Sequence, residues 1–558
     1  MITPEHEWTT VDRVPAWMEP YDYIYEAPLD PPEPYQLEEL KQVFRESISN
    51  ELGGSANWNE MGAKKTSTGL WLIQRLVNQL KIENASVLIV TTRSGKGTFF
   101  KLAPKLLPGF TIFNVQSQGL SVITVDDDGK YTETKLPPSK LKYVPEKLDF
   151  PCIFIAHYHI FSNSNHGKFE LDKDGNPVRD ETGAQVMLPA MQADHMAKHP
   201  WTFAWLDEAH RIKDKDTKWT QSIKRVKATY KHVSTGTGFI NRPNEIWSPL
   251  NFIDEKAFAS YWAFHELFCD IDDSDGYSRI VGVKPEMKDD LRRIVRKYGP
   301  RKTLTEVMPH IKEPIFVERE VDLNPIQRKM YDEIKNELRA LDQKGEPIHA
   351  ANVLSLLQRL RAIAVATPEV VFDQYDPVLD RRVQRIKLVE PSSKLDDLML
   401  LIDELEWDEE HKAPIVVFSN FVGPLQLLET RFNRANENAM EMGFPPEYPY
   451  LWLKESDNDE IRYRKWAELF PTLEYRVFMS TLQLGGESIS LTDAHHVVFL
   501  DRSWSPKDNM QGIGRIRRPG QEGQPIVINI NARNTTDQYI QAVNELKHGW
   551  FKQIFGEE

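Results

Sequence analysis

The chain has 558 residues, 40% of them apolar and 27% charged, and this length predicts roughly two to four domains because one hydrophobic core cannot serve so many residues. Its formal net charge of −14 argues against a protein that coats polyanions nonspecifically, although one basic cleft could still contact nucleic acid. The two cysteines exclude a disulfide framework and a cysteine-based zinc site, and no apolar run approaches the ~20 residues of a membrane span.

The first half of the chain alternates between predicted strands and helices. An irregular lead-in over residues 1–34 precedes a helix over about 34–52, and an amphipathic helix carries the apolar residues between Leu70 and Leu80. Strands are predicted at residues 86–91, 110–113, 152–156, 203–207 and 232–235. This alternation is typical of a doubly wound parallel sheet, and two turns, at residues 126–129 and 172–176, indicate hairpins within it.

A second alternating set begins near Ser392, with strands predicted at residues 415–419, 450–453, 477–480, 497–501 and 526–530. Between the two sets, Asn324 and Pro325 cap a predicted helix over residues 326–341. The sequence therefore predicts an α/β protein with two parallel-sheet lobes. The predicted domains are residues 1–34 (lead-in), 35–253 (first lobe), 254–312 (helical insertion), 313–391 (linker and helical extension) and 392–558 (second lobe).

One apolar, aromatic-rich run ends in two adjacent carboxylates. The run Phe203-Ala-Trp-Leu leads directly to Asp207 and Glu208, which is typical of a buried parallel strand whose carboxyl end carries chemistry. Asp207 is placed to hold Mg²⁺ through water, and Glu208 is placed to polarise a water for attack on a phosphoryl group. The alternative is an ordinary strand followed by a solvated acidic turn.

The stretch Gly62-Ala63-Lys64-Lys65-Thr66, before the amphipathic helix, is the expected place for a phosphate-binding loop. Backbone N–H groups at a helix start attract phosphate, Lys65 reaches the β/γ oxygens, and the Thr66 hydroxyl meets Mg²⁺. The glycine expected before that lysine is here Lys64, whose side chain could strain the loop or crowd the nucleotide.

Two further stretches allow more than one interpretation. In Ser94-Gly-Lys96-Gly-Thr98 the spacing of a phosphate-binding loop is missing, so Lys96 belongs either to a loop that touches a nucleic-acid phosphate or to a plain turn. The segment over residues 234–247, which begins Ser234-Thr235-Gly236-Thr237, stands at the end of a strand, where hydroxyls and glycines could link the acidic site to the other lobe or could form an ordinary turn.

An arginine-rich segment, Gly-Ile-Gly-Arg515-Ile-Arg-Arg518-Pro-Gly, is bracketed by Gln511 and Gln521. Because Arg515 and Arg518 are spaced i,i+3, they are predicted to share one helix face, where two fixed cations could capture a γ-phosphate. A basic patch for nucleic acid is the alternative, and the bracketing glutamines favour the phosphate interpretation.

In their order along the chain, these motifs resemble those of superfamily 2 helicases and, within them, the Swi/Snf-type DNA translocases. Pro34-Tyr35-Gln36 resembles the adenine-reading Q-motif, residues 60–66 resemble motif I, and residues 90–94 stand where motif Ia is expected. Asp207-Glu208-Ala209-His210 resembles motif II, and residues 235–237, 241–243 and 250–252 resemble the extended motif III of the Swi/Snf type. In the second half, residues 417–421, 480–492 and 501–521 resemble motifs IV, V and VI.

The resemblance implies two RecA-like lobes with ATP in the cleft between them and Mg²⁺ as its metal. The residues implied to bind ATP are Gln36, Gly62, Ala63, Lys64, Lys65 and Thr66, with Thr66 and Asp207 on Mg²⁺. The residues implied to act in hydrolysis are Lys65, Thr66, Asp207, Glu208, Gln511, Arg515 and Arg518, coupled to the other lobe by His210, Thr235, Gly236 and Thr237. The candidate DNA contacts are Thr92, Arg93, Lys96, Ser419, Ser480 and Thr481.

The expected activity is hydrolysis of ATP by a DNA-dependent helicase or translocase that moves along duplex or single-stranded DNA. Two alternatives remain: a nucleotide- and DNA-binding protein of the same fold whose hydrolysis is impaired by Lys64, and an RNA helicase. The extended motif III and Gln521 favour DNA. The chain resembles compact, bacteriophage-encoded members of the family, so we expect a monomer in the host cytoplasm that serves viral DNA replication, recombination or repair.

Overall fold

The structure is a computed structural model. It describes residues 35–36, 39–40, 54–79, 81–93, 95–116, 119–126, 131–136, 151–162, 192–236, 242–274, 278–343, 350–371, 375–376, 381–382, 385–405, 407, 413–485 and 489–555. The chain divides into two compact units, Met1–Thr303 with Phe551–Glu558 and Leu304–Trp550.

The first unit is built on a sheet that has eight strands within the described residues. Their bounds are β1 Ser55–Asn57, β2 Ser86–Thr91, β3 Thr111–Gln116, β4 Gly119–Val125, β5 Tyr131–Lys135, β6 Cys152–His157, β7 Pro200–Asp207 and β8 Lys227–Ser234. The spatial order is β1-β8-β7-β2-β6-β3-β4-β5, parallel from β1 to β3 and antiparallel beyond it. Helices α1 Lys65–Gln79, α2 Lys96–Leu106, α3 Gln192–Lys198 and α4 Lys218–Lys224 lie between these strands in the chain, and α5 Trp247–Ile253 follows the last of them.

Burial explains why the central strands form. Every residue of β2 is buried, and its run Ser-Val-Leu-Ile-Val-Thr is the continuous apolar pattern of a parallel strand covered on both faces. Helix α1 packs closely on β7 because it carries Gly69, where an added Cβ atom would lie 2.3 Å from the Trp205 ring. The sheet is therefore fixed firmly at the strand ends that meet the phosphate-binding loop.

Residues 254–303, at the end of the main segment of the first unit, cover most of the stretch predicted as a helical insertion. They contain α6 Tyr261–Phe268, the antiparallel hairpin of β9 Cys269–Asp272 and β10 Arg279–Val283, and α7 Lys288–Tyr298. The hairpin was not predicted. The sequence Cys-Asp-Ile-Asp alternates with polar residues, and only Cys269 of this strand is buried, so it lacks the apolar run that predicts a strand.

The second unit holds a parallel sheet, with the spatial order β11-β20-β19-β16-β18-β17. Its strands are β11 Ile315–Val321, β16 Ile415–Ser419, β17 Tyr450–Leu453, β18 Val477–Thr481, β19 His496–Phe499 and β20 Ile526–Ala532. Short antiparallel pairs join β12 Thr367–Val371 to β15 Arg385–Val389 and β13 Tyr375–Asp376 to β14 Arg381–Arg382. The helices are α8 Leu304–Val307, α9 Pro325–Gln343, α10 Ala350–Val365, α11 Ser393–Glu404, α12 Val422–Glu441, α13 Asp459–Tyr463, α14 Leu482–Gly485, α15 Pro506–Ile513 and α16 Thr536–Phe555.

The two faces of this second sheet pack into two separate apolar clusters. Ile415 and Val417 belong to one cluster, and the intervening Val416 and Phe418 belong to the other. Alternation of this kind requires cover on both faces of the sheet. The predicted α/β fold with two doubly wound, RecA-like lobes is confirmed.

Each of the ten predicted strands overlaps a strand of the structure. Strand β1 was missed, because Ser-Ala-Asn has no apolar run and is strand only through its parallel pairing with β8. The hairpin predicted at residues 126–129 is formed by β4 and β5, and the one at 172–176 lies outside the described residues. None of the helices described has the length and hydrophobicity that would let it cross a bilayer.

Candidate functional site

Asp207 is the last residue of β7, and a hydroxyl from each neighbouring strand binds its carboxylate. Thr91, at the end of β2, donates to Oδ2 at 2.8 Å, and Ser234, at the end of β8, donates to Oδ1 at 2.9 Å. These three residues meet because the carboxyl ends of adjacent parallel strands lie at one sheet edge. Sequence analysis placed Ser234 in a segment that could link the acidic site to the other lobe, but it paired neither hydroxyl with Asp207. Thr91 ends one predicted strand, and Ser234 lies near the end of another.

Burial raises the pKa of Asp207 to about 6, and the negative charge of Glu208 adds to the shift. The hydrogen bonds from Thr91 and Ser234 and the charge of Lys65 oppose it. On the main-chain side, the Tyr158 hydroxyl donates to the Asp207 carbonyl oxygen at 2.6 Å, and burial raises the pKa of Tyr158 so that it remains a donor. Hydrogen bonds to the carboxylate and to the main chain thus orient Asp207 at the sheet edge.

Glu208 turns away from the strand in the left-handed conformation, with φ 54° and ψ 47°. A non-glycine residue in that region is uncommon and is frequent at functional sites. Its Oε2 atom lies 3.2 Å from Nδ1 of the buried His210, and the same nitrogen lies 3.0 Å from Oγ1 of Thr235. The structure therefore joins the end of the acidic strand to the predicted coupling segment. Thr237 of that segment lies outside the described residues.

The predicted phosphate-binding loop lies at the start of α1. Gly62 has φ 88° and Lys64 has φ 46°, so Lys64 adopts the left-handed conformation expected of the glycine it replaces. Ala63 is buried between them, and Lys65 is the first residue of the helix, followed by the half-buried Thr66. The loop thus has the backbone of a phosphate cradle despite the side chain at residue 64.

The Lys65 ammonium is held close to the loop and to the acidic residues. Its Nζ atom donates to the carbonyl oxygens of Asn59 and Glu60, at 2.9 Å each. Burial lowers the pKa of Lys65, whereas the charges of Glu208 and Asp207 raise it. These contacts show that Lys65 lies within electrostatic reach of both carboxylates.

Gly236 packs directly on the phosphate-binding loop. A Cβ atom added to Gly236 would lie 2.9 Å from Cγ of Met61 and 3.2 Å from Nζ of Lys65. Only a residue without a side chain allows this approach. The loop, the acidic pair and the coupling segment therefore form one cluster inside the first unit.

Gln36 is fully buried, and its amide nitrogen donates within the protein to Thr68 Oγ1 at 3.0 Å and Ser67 Oγ at 3.3 Å. Its predicted role was to read adenine. In the structure its donor contacts the first turn of α1 and thereby braces the phosphate-binding loop.

The two predicted arginines of the second unit also converge, but not on a helix. Helix α15, which contains Gln511, ends at Ile513, so the predicted shared helix face is wrong for Arg515 and Arg518. The turn that follows brings both guanidinium groups to one acceptor: Nη1 of Arg515 and Nη1 of Arg518 donate to the carbonyl oxygen of Ile489, at 3.3 and 2.8 Å.

Three of the predicted DNA contacts are buried inside the protein. Ser419 and Ser480 are each 0% exposed, and their hydroxyls donate to Asp501 and to the Thr481 carbonyl. Lys96 is 7% exposed, and its ammonium donates to Val115 O at 2.8 Å and to Asn114 Oδ1. All three side chains are bonded within the protein and lie off its surface, so the structure does not support these three predictions.

Of the remaining predicted contacts, Arg93 is exposed and Thr92 and Thr481 are half-buried. The Thr92 hydroxyl accepts a hydrogen bond from the Gly95 backbone at 3.0 Å, which shapes the turn between β2 and α2. Arg93 and Thr481 are accessible, and they stay candidates for contact with a nucleic acid.

The oxygen atoms at Asp207 and Thr66 suit a hard cation such as Mg²⁺, which takes one or two protein ligands and fills its remaining positions with water and phosphate. Within the described residues there is no group of three or more His, Cys, Asp or Glu side chains that could enclose a metal.

Comparison with known proteins identifies two domains. The SNF2-related domain family matches residues 112–368, and the helicase conserved C-terminal domain family matches residues 393–520. Relatives include YwqA of Bacillus subtilis (strain 168), a candidate ATP-dependent helicase/translocase, at 23% identity over 67% of this chain and 38% of that protein. Another is the human SWI/SNF-related matrix-associated actin-dependent regulator of chromatin subfamily A member 1, at 26% identity over 63% of this chain and 31% of that protein.

The chain therefore corresponds to about a third of the length of these relatives. Among solved structures, the Sulfolobus solfataricus SWI2/SNF2 ATPase core in complex with dsDNA aligns with 95% of this chain and 94% of its own, at 19% identity and a TM-score of 0.39.

Proposed function

Because the chain belongs to the Swi/Snf-type, SNF2-related branch of the superfamily 2 helicases, as its motifs predicted, we propose that it hydrolyses ATP in a DNA-dependent manner and uses this reaction to move along DNA. The observation that carries the proposal is the cluster in the first unit. Lys65 lies beside Gly236, and Thr235 contacts the His210 that contacts Glu208.

In this proposal Lys65 exchanges its carbonyl partners, Asn59 and Glu60, for the β- and γ-phosphate oxygens of ATP. The N–H groups at the start of α1 face the same phosphates, because a helix N-terminus attracts anions. Thr66 and Asp207 hold Mg²⁺, which supplies charge neutralisation on the phosphates. ATP enters as substrate, so its own charge replaces part of the polar environment that Lys65 has in the free protein.

Glu208 is the proposed base that orients and deprotonates the attacking water. Its left-handed backbone points the side chain away from the strand, and His210 lies at hydrogen-bonding distance from it. Arg515 and Arg518, carried by the second unit together with Gln511, are proposed to stabilise negative charge on the γ-phosphate during transfer. Their common acceptor, the Ile489 carbonyl, holds the two guanidinium groups together before substrate arrives.

His210 and Thr235 are the proposed link between hydrolysis and DNA. One nitrogen, His210 Nδ1, lies within 3.2 Å of both Glu208 Oε2 and Thr235 Oγ1, so it can bond to only one of them well at a time. A shift of the segment that contains Thr235 would therefore change the orientation of Glu208. Arg93 and Thr481 are proposed to contact the DNA backbone, which positions the protein without reading sequence.

The first alternative is a protein that binds nucleotide and DNA without hydrolysing ATP. It depends on Lys64, which stands where a glycine is expected in the phosphate-binding loop. The left-handed backbone of Lys64 supports turnover, because the loop keeps the conformation that a glycine would give. An RNA helicase is the second alternative, and a role in viral replication, recombination or repair is a further prediction. The names of the relatives favour DNA, since the human one is a regulator of chromatin.

The proposal is tested by the ATPase rate without nucleic acid and with duplex DNA, single-stranded DNA or RNA. We expect duplex DNA to raise the ATPase rate. We expect Lys65→Ala to lower the DNA-stimulated rate at least ~100-fold, because the lysine that binds phosphate is lost. Displacement of a labelled third strand from a triplex tests movement along DNA. Stimulation by RNA alone, or equal rates in wild type and Lys65→Ala, would refute the proposal.

A further inference from the structure

A short segment that joins the two units is bonded to the hydrolytic motifs at both of its ends. This segment, residues 299–313, is called the connector below. The chain passes from the first unit to the second between Thr303 and Leu304, inside the connector. Sequence analysis assigned no role to any of its residues.

The first end of the connector lies along the approach to the phosphate-binding loop. The backbone N–H of Trp58 donates to Pro300 O at 2.9 Å, and that of Glu60 donates to Lys302 O at 2.9 Å. Gly299 makes this close approach possible, because a Cβ atom there would lie 1.7 Å from the carbonyl oxygen of Ala56. The connector therefore pairs with residues 58–60, and two carbonyls of that stretch, those of Asn59 and Glu60, hold the Lys65 ammonium.

Arg301 ties the phosphate-binding loop to the coupling segment. Its Nη1 atom donates to the carbonyl oxygen of Trp58 at 2.7 Å and to that of Gly236 at 3.2 Å. Gly236 in turn packs on Met61 and Lys65. One guanidinium group thus fixes the two backbone segments whose separation sets the space around Lys65.

The other end of the connector holds the arginine segment of the second unit. Nη2 of Arg517 donates to Thr305 Oγ1 at 2.8 Å and pairs with Glu313 Oε1 at 2.5 Å. Arg517 is only 5% exposed, and it lies in the chain between Arg515 and Arg518. A buried, charge-assisted contact of this kind fixes the turn that presents the two neighbouring guanidinium groups.

We propose that the connector is a mechanical link between the two halves of the hydrolytic machinery, with Arg301 positioning the phosphate-binding loop and Gly236, and Thr305 positioning the arginine segment through Arg517. Only three residues separate Arg301 from Thr305, so the chain between them cannot absorb a displacement larger than about 14 Å. A movement that would carry the two anchored ends further apart than this reach therefore pulls on the other motif. This inference rests on the proposed ATPase function.

The test is a double-mutant cycle in the full chain, with kcat and KM for ATP measured at saturating duplex DNA. Arg301→Met removes the guanidinium group and keeps the apolar stem, and Thr305→Val removes only the hydroxyl. We expect Arg301→Met to lower kcat about 10-fold or more and to change KM by less than about 3-fold, because nucleotide binding by Lys65 survives while alignment for transfer is lost. Arg301→Lys should recover part of kcat, since an ammonium reaches one of the two carbonyls.

The kcat of the double variant is expected to be no lower than that of the more impaired single variant. Two contacts that act through one link do not have additive effects. Arg293→Met, on α7 before the connector, is the matched control. It removes an exposed arginine that pairs with Asp290, and it should leave kcat within twofold of wild type.

Additive losses in the double variant, or a folded Arg301→Met protein with wild-type kcat, would overturn the inference. If Arg301→Met does not fold, Thr305→Val alone decides: a wild-type kcat refutes the link, and a fall in kcat at constant KM supports it. Failure of the proposed function is distinct, because the wild-type protein itself would then show no ATPase stimulated by nucleic acid.

Discussion

The hydroxyl of Thr91 donates a 2.8 Å hydrogen bond to Oδ2 of Asp207, across two neighbouring parallel strands. The register pairs Val90 with Leu206, so the next residue of each strand stands opposite the other at the sheet edge. Ser234, opposite Asp207 on the other side, supplies the second hydroxyl. The carboxylate is therefore oriented by two neutral donors that leave its charge available to a cation.

Thr91→Val is expected to shift the acid side of the pH–rate profile upward. The hydrogen bond from Thr91 lowers the pKa of Asp207, which burial raises to about 6, so its loss raises that pKa further. Asp207 must be ionised to hold Mg²⁺, and activity therefore falls at a higher pH in the variant. A hydrogen bond to a charged group predicts a shift of about one pH unit. The measurement is ATPase rate against pH at subsaturating Mg²⁺.

The matched control for this experiment is Thr202→Val, which lies in the same strand as Asp207 at the opposite end. Its hydroxyl accepts a hydrogen bond from the Ser86 backbone at 3.1 Å and has no contact with the acidic pair. A profile that moves equally in both variants would show that general loosening of the sheet, and not the Thr91 bond, sets the acid limb.

Lys64→Gly is expected to stabilise the protein by about 1 kcal/mol, because a residue with a Cβ atom at φ 46° carries steric strain that glycine avoids. Since the loop already has the conformation that a glycine would give, we expect kcat to change by less than about 3-fold. Chemical denaturation and the DNA-stimulated ATPase rate measure the two effects.

Lys81→Gly provides the control, because Lys81 is exposed and has φ 49° in a turn that follows α1. It should give a similar gain in stability and no change in rate. A large increase of kcat in Lys64→Gly alone would instead support the alternative in which the natural lysine suppresses hydrolysis.

Sequence reasoning succeeded where local pattern decides the structure and failed where long-range contacts decide it. The strands at residues 86–91, 415–419 and 450–453 were predicted to the residue, because runs of β-branched and apolar side chains need burial on both faces. Strand β1 was missed because its three residues are held by pairing with β8. Local pattern carries no information about such a partner.

The site shows the same division. Asp207, Glu208 and Lys65 were identified from motifs, whereas the arginines were placed on a helix that in fact ends at Ile513. Spacing of i,i+3 is compatible with a helix and with a turn, and the segment Gly512-Ile-Gly514 precedes Pro519, so local propensity did not favour a helix strongly. Arg301 went unnoticed because its importance comes from Trp58 and Gly236, which are distant in sequence.

Lys96→Met is expected to leave DNA affinity unchanged, because the ammonium is buried against Asn114 and Val115. Arg93→Ala, three residues earlier at an exposed position, should weaken binding severalfold and make it less dependent on salt, as loss of one phosphate contact requires. Fluorescence anisotropy with labelled duplex DNA at several salt concentrations measures both. A loss in Lys96→Met that matched that of Arg93→Ala would restore the original prediction for Lys96.

Lys96→Met should also change how stability depends on pH. Burial lowers the pKa of Lys96 to about 7, so the folded protein releases this proton well before the unfolded chain does. Below pH 7 the Lys96 ammonium is charged and buried, so its full cost to the stability of the folded protein is present. Between pH 7 and the ordinary lysine pKa of 10.5 this cost falls, and the stability of the wild-type protein rises with pH. The stability of the variant relative to wild type is therefore expected to be highest near pH 6 and to decline towards pH 9.

Asp207→Asn is expected to abolish hydrolysis and to raise the stability of the nucleotide-free protein. The pKa of Asp207 is raised from 3.8 to about 6, which means that the buried, ionised carboxylate destabilises the fold above that pH. Asparagine keeps the shape, and the Thr91 and Ser234 hydroxyls can rotate to donate or accept, so the gain should be roughly 1–2 kcal/mol at pH 8. The gain should disappear below about pH 4, where the aspartate is protonated in both states.

Asp216→Asn, at an exposed carboxylate paired with Lys215, is the control and should leave stability unchanged throughout this pH range. Equal stability of wild type and Asp207→Asn at pH 8 would mean that the carboxylate is solvated, and the burial that raises its pKa would then have no cost.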